Sequence, residues 1–107
     1  MRKYSIIIPV YNRPDELGEL LMCLTRQTFK NFEIVIVEDG SQVKCDSVIK
    51  SFQNQLEIYY FYKENGGQGF ARNYGFERAK GDYFLVLDSD VIVPGNYLKN
   101  IDDFLNQ

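Results

Sequence analysis

Phe32-Glu33-Ile34-Val35-Ile36-Val37, running directly into Glu38-Asp39-Gly40-Ser41, is the stretch that decides the fold. It is apolar nearly throughout and rich in β-branched residues, with no alternation of apolar and polar positions. A strand that faces water on one side alternates, whereas one covered on both faces does not. The polar residues gather where the strand stops, so the chemistry belongs at its carboxyl end.

Three more apolar runs flank this one. Ser5-Ile6-Ile7-Ile8-Pro9-Val10 precedes it and ends in Tyr11-Asn12. Leu56 to Tyr62, rich in aromatics, follows and ends in Glu64-Asn65-Gly66-Gly67. Tyr83 to Leu87 comes last and ends in Asp88-Ser89-Asp90; like the first two runs it is apolar nearly throughout, as a strand covered on both faces is. Helical spacing fills the gaps. Leu17, Leu20, Leu21 and Leu24 fall at i, i+3, i+4 and i+7, with Pro14 in the first turn where its missing N–H costs least. Cys45, Val48, Ile49 and Phe52 repeat that spacing. Ala71, Tyr74, Gly75 and Ala79 form a stripe of mostly small residues that lets a helix approach a sheet closely. Tyr97, Ile101, Phe104 and Leu105 begin a fourth helix. The order β-α-β-α-β-α-β-α predicts parallel strands with right-handed crossovers, an α/β open doubly wound sheet. In such sheets ligands bind beyond the carboxyl ends of the strands.

A chain of 107 residues is one domain by length, and an apolar fraction of 45% suits a packed core. The net charge of −3, with no basic stripe, argues against nucleic acid as a partner. Cys23 and Cys45 lie among apolar residues and read as buried reduced thiols, which points to a cytoplasmic setting. No apolar run approaches the ~20 residues needed to span a membrane.

Each strand ending has a functional and a plain reading. Tyr11 offers a ring face to a nucleobase, or else caps the core. Asp39 accepts from an imide N–H or ribose hydroxyls, or else belongs to an Asp39-Gly40-Ser41 turn. Ser41 reads better as the cap of the next helix than as a ligand contact. The Asn65-Gly66-Gly67-Gln68-Gly69 loop opens a helix whose amides suit a phosphate. It is not a dinucleotide fingerprint, because Arg72 replaces the third glycine and the loop follows strand three. Arg72 serves a diphosphate, or is a surface arginine. Asp88 and Asp90 are the sharpest pair: two neighbouring carboxylates repel unless a divalent cation sits between them.

Together these stretches resemble the N-terminal half of an inverting family 2 glycosyltransferase of the GT-A, Rossmann-like type. Those carrying the resemblance are Ser5 to Asn12, Gln27-Thr28-Phe29, Phe32 to Ser41, Asn65-Gly66-Gly67 with Ala71 to Gly75, and Gly81-Asp82-Tyr83 leading to Asp90. The resemblance implies a nucleotide-sugar donor, a UDP-sugar by family default, and a glycan or lipid-linked acceptor. Pro9, Tyr11 and Asp39 would hold base and ribose. Val10, Asn12, Ser41, Asn65 and Ser89 would stand among the donor contacts. Glu38 occupies the place of a common family aspartate, on a longer arm. Arg72 would lie near the diphosphate or base. Asp88 would approach the ribose or a metal-bound water, and Asp90 would be the main ligand of Mn²⁺ or Mg²⁺. The catalytic base and acceptor half are expected beyond residue 107, which leaves these residues a donor-binding half with little or no transfer of their own. Uncovered apolar surface would favour self-association, and family settings include the inner face of the membrane. Two alternatives differ in chemistry. A non-catalytic nucleotide-binding or interaction module of this fold would bind without metal. A sugar nucleotidyltransferase needs a glycine- and arginine-rich loop after strand one, where Tyr11-Asn12-Arg13-Pro14 stands instead.

Overall fold

The computed structural model describes residues 2–64 and 66–107, the side chain of Gln68 excepted. The elements alternate as the sequence predicts: β1 (Tyr4–Val10), α1 (Pro14–Thr25), β2 (Phe32–Asp39), α2 (Asp46–Lys50), β3 (Ile58–Lys63), α3 (Gln68–Arg78), β4 (Tyr83–Val86) and α4 (Tyr97–Leu105). The four strands form one all-parallel sheet in the order β3-β2-β1-β4.

Both central strands are buried along their whole length, as their unbroken apolar runs require. Even-numbered residues of β1 and β2 (Tyr4, Ile6, Ile8, Val10, Phe32, Ile34 and Ile36) face the larger layer, packed against Leu17, Leu20, Leu21 and Leu24 of α1 and Ile49 of α2. The odd positions Ile7, Val35 and Val37 meet Ala71 of α3 on the other face. There Gly75 lies so close to the sheet that an added Cβ would stand 2.6 Å from Ile7 Cγ2.

β4 departs from the expectation of a strand covered on both faces. It is an edge strand, with Tyr83, Phe84 and Val86 exposed. Its apolar run reflects a surface left open among the described residues, with Phe84 stacked on Phe76 of α3 at 5.8 Å. The fourth helix also differs in detail. Leu98 is its buried residue, Ile101 and Leu105 pack beside it, and Phe104 points outward. α2 is a single short turn, and Phe52 joins the core from the turns after it.

The chain moves from β1 to β2 to β3 in one direction, then crosses through α3 to β4 on the far side of β1. The strand order therefore reverses between β1 and β4, the crevice position in a doubly wound sheet. Pro9 widens it. Leu87 N donates to Ile7 O at 3.0 Å, so by the alternation of a parallel ladder the odd residues of β1 face β4. Pro9 has no N–H to offer on that side, and the β1–β4 register ends at Ile7↔Val86.

Candidate functional site

All four strands run parallel, so their carboxyl ends share one edge. Tyr11 follows β1, at the carboxyl end of the sheet, and is 49% exposed. Asn12 adopts a left-handed backbone (φ 53°), which asparagine tolerates better than most residues. From there its Oδ1 accepts from the amides of Gln42 (2.7 Å) and Val43 (3.0 Å), and its own amide donates to Ser41 Oγ (2.8 Å). Asn12 and Ser41 thus fasten the exits of β1 and β2 together. Ser41 caps no helix: Cys45 holds the N-cap position of α2, without a side-chain bond.

Asp39 is where the rim is most organised. Its side chain is 8% exposed, and the facing Lys63, its register partner at the end of β3, is 10% exposed. Lys63 Nζ donates to Asp39 Oδ1 at 2.7 Å; Gly66 N reaches the same oxygen at 2.8 Å and Gly67 N reaches Oδ2 at 2.9 Å. Burial by itself pushes the carboxyl up. Lys63 and the two glycine amides outweigh it and hold the group below its usual range. A carboxylate lowered in the folded state contributes stability present above its unfolded value and lost as pH falls through the folded one. Asp39→Asn is therefore expected to destabilise by about 3 kcal/mol at neutral pH. The cost should begin to shrink as pH drops below about 4, where the carboxyl of the unfolded chain protonates, and vanish only lower, once the folded carboxyl is protonated too. Urea unfolding of both proteins across that range checks this; a cost independent of pH would mean the ion pair contributes nothing.

Glu38 does not come to the rim. It lies on the opposite face from Asp39, fully buried, accepting from Cys45 N (2.9 Å) and the Tyr60 hydroxyl. Its Oε2 has no partner among the described residues. The longer arm is committed beneath α2, as an anchor of the β2–α2 loop. Burial, then the nearby Glu38 charge, pushes the Cys45 thiol up to about 12, so it stays an inert thiol; Cys23 is likewise a free cysteine.

Asp88 and Asp90 lie exposed around the buried Ser89, in a turn closed by Val91 N to Asp88 O at 3.2 Å. The turn leaves β4 beside the crevice. Among the described residues no third acidic, histidine or cysteine side chain joins them. Two carboxylates suit a hard cation that keeps waters and takes its remaining ligands from phosphates. Arg72 is exposed near the start of α3 and makes no ion pair among the described residues. Asn65 lies outside the described residues. The surface hollows of about 540 Å³ by Thr28–Asn31 and about 560 Å³ along α1 are lined by none of these residues.

Two residues matter here without having been assigned roles from the sequence. Lys63 is one; only the register of β2 on β3 brings it to Asp39. Gln27 is the other. Buried at the end of α1, its Nε2 donates to Pro94 O (2.8 Å) and its Oε1 accepts from Leu98 N (3.1 Å). It holds the segment that follows the acidic turn.

Known proteins share this architecture. The solved TarS 1–349 of S. aureus, in complex with UDP-GlcNAc, superposes with a TM-score of 0.92 at 32% identity, over 97% of this chain and 31% of its own. The mannosyltransferase PcManGT of Pyrobaculum calidifontis, in complex with GDP-Man and Mn²⁺, shares the fold at a TM-score of 0.91 and 22% identity, over 99% of this chain and 33% of that one. An uncharacterized glycosyltransferase of Rickettsia typhi is 43% identical over 103 residues, 96% of this chain and 32% of that protein. GlyA of Streptococcus pneumoniae is 36% identical over 100 residues, 92% of this chain and 14% of that protein. The chain thus spans about a third or less of these relatives. The family model described as glycosyl transferase family 2 matches residues 5–107, and with a parallel sheet of GT-A type beneath that match the chain belongs to glycosyltransferase family 2.

Proposed function

We propose that this chain binds a nucleotide-sugar donor, a UDP-sugar, along the sheet rim for inverting transfer of the sugar to an acceptor hydroxyl. The observation that carries the reading is the crevice between β1 and β4, with Tyr11 on one side, Asp88 and Asp90 on the other, and Asp39 on the next strand. UDP-GlcNAc in TarS, at 32% identity, supports the choice of donor class.

In this reading Tyr11 stacks on the base and Asp39 accepts from its imide. Arg72 and the amides opening α3 offset diphosphate charge. Asp88 and Asp90 hold Mn²⁺ or Mg²⁺. When bound, that cation neutralises charge on the departing diphosphate. The base that deprotonates the acceptor is not drawn from Asp102 or Asp103. Asp102 accepts from the Tyr4 hydroxyl at 2.8 Å, at the opposite end of β1 from the crevice, and Asp103 pairs with Lys99. We therefore place the base and the acceptor site outside these residues and infer little transfer by the chain alone. The exposed Phe76, Phe84 and Val86 would pack against the part that carries the acceptor site or against a second copy. No helix is long and apolar enough to cross a membrane among the described residues.

Calorimetry with UDP, with and without Mn²⁺, tests the reading. UDP should bind at least about tenfold more tightly with the cation, since Asp88 and Asp90 repel a bare diphosphate. Equal affinity in both conditions would favour a metal-free binding module, and no binding at all by folded chain would remove the donor site.

A further inference from the structure

We propose that Lys63 is a positioning residue that sets which bases Asp39 can accept. The inference rests on the reading that this rim binds a nucleoside diphosphate. An ionised carboxylate has about four lone-pair positions, two on each oxygen. On Asp39, Oδ1 has both filled, by Lys63 Nζ and Gly66 N, while Oδ2 has one filled, by Gly67 N. Among the described residues a single acceptor position remains.

Lys63 itself has nothing to give a ligand. Its ammonium donates to Asp39 Oδ1 and to Glu64 O, each at 2.7 Å, and stands 4.9 Å from the centroid of the Phe70 ring. Three directions are used, which is the full donor capacity of a lysine. With its side chain nine-tenths buried, Lys63 cannot swing away without leaving Asp39 a poorly solvated charge. It therefore acts only through Asp39, by filling Oδ1.

One open acceptor matches a base edge that presents one donor. Uracil does so through N3–H. Cytosine offers a lone pair at N3 and repels the carboxylate. Guanine offers two adjacent donors, N1–H and the 2-amino group, which chelate a carboxylate through both oxygens. Here Oδ1 has no room for the second, and a buried donor left unmatched is costly. Lys63 thus tilts the rim towards uracil and against guanine.

Calorimetry in the presence of Mn²⁺ tests this on the parent chain and on Lys63→Met, with UDP, GDP and IDP. The parent should prefer UDP to GDP, and IDP, which lacks the 2-amino group, to GDP. Lys63→Met reopens Oδ1, and its UDP-to-GDP preference should fall by about tenfold or more. Lys63→Gln, which keeps one donor for Oδ1, should retain most of the preference. An unchanged UDP-to-GDP ratio in a folded Lys63→Met would overturn the assignment. So would GDP binding to the parent as well as IDP, a comparison that needs no variant. If the folded parent bound none of the three, the donor reading would fall and take this inference with it; binding with the wrong ratios sinks Lys63 alone.

Discussion

Asp90→Ala is expected to abolish metal-assisted UDP binding while leaving the fold intact. Asp90 is exposed on a turn, and only Asp88 shares the candidate cation position among the described residues. With one carboxylate gone, the cation keeps a single protein ligand of charge −1, and the diphosphate loses most of the compensation it needs. The Mn²⁺-dependent part of UDP affinity should fall by about a hundredfold or more, close to 3 kcal/mol. The melting temperature without ligand should hardly move, because a solvated carboxylate that pairs with no core group contributes little to folding. Asp103→Ala is the matched control, since among the described residues Asp103 pairs only with the exposed Lys99. An Asp90→Ala protein that binds UDP and Mn²⁺ like its parent would place the site elsewhere.

The second large effect is on stability, and its sign separates two glycines of one helix. Glycine in a helix interior is worse than alanine by about 1 kcal/mol, so Gly→Ala stabilises wherever the new methyl has room. At Gly69 it has room: its Cβ would meet Arg72 Nη2 at an ordinary 3.7 Å. At Gly75 it would stand 2.6 Å from Ile7 Cγ2 and 3.5 Å from Val37 Cγ2, against two fully buried residues of the central strands. Gly69→Ala, in the first turn of α3 and so short of the full interior effect, should raise the unfolding free energy by about 0.5 kcal/mol. Gly75→Ala should lower it by about 1–3 kcal/mol, the cost of overpacking less the helix gain. Gly75→Val adds two more methyls in the same place and should exceed the thin margin of so small a domain. Chemical denaturation of the three variants checks the order. Stabilisation by Gly75→Ala would mean that α3 stands farther from the sheet.

The strand pattern was legible because burial on two faces leaves a plain mark in sequence, and β1 and β2 carry it in full. The same mark misled at β4. A run such as Tyr83-Phe84-Leu85-Val86 reads as a covered strand, yet three of its four residues stand exposed among the described residues. The rim was legible as a set of strand endings, but not as a network. Nothing local in the sequence tells that Asn12, through its left-handed backbone and two accepted amides, also holds a loop. Glu38 and Asp39 are neighbours in sequence, yet the two-residue period of a strand sends them to opposite faces, one under α2 and one to the rim. Asp102 meets Tyr4 across 98 positions of chain, a distance at which local pattern carries no information.

Gln27 has a bearing on how a cation would be received. Only seven residues lie between Asp90 and Leu98, and that span is moored at Pro94 and at Leu98 by one amide side chain, with Thr28 N adding a bond of 2.9 Å to Gly95 O. A tether so short damps the wandering that would otherwise have to be frozen out on association. An acidic turn held this way would need less ordering to receive a cation, and more of the attraction between opposite charges would be left to appear as grip.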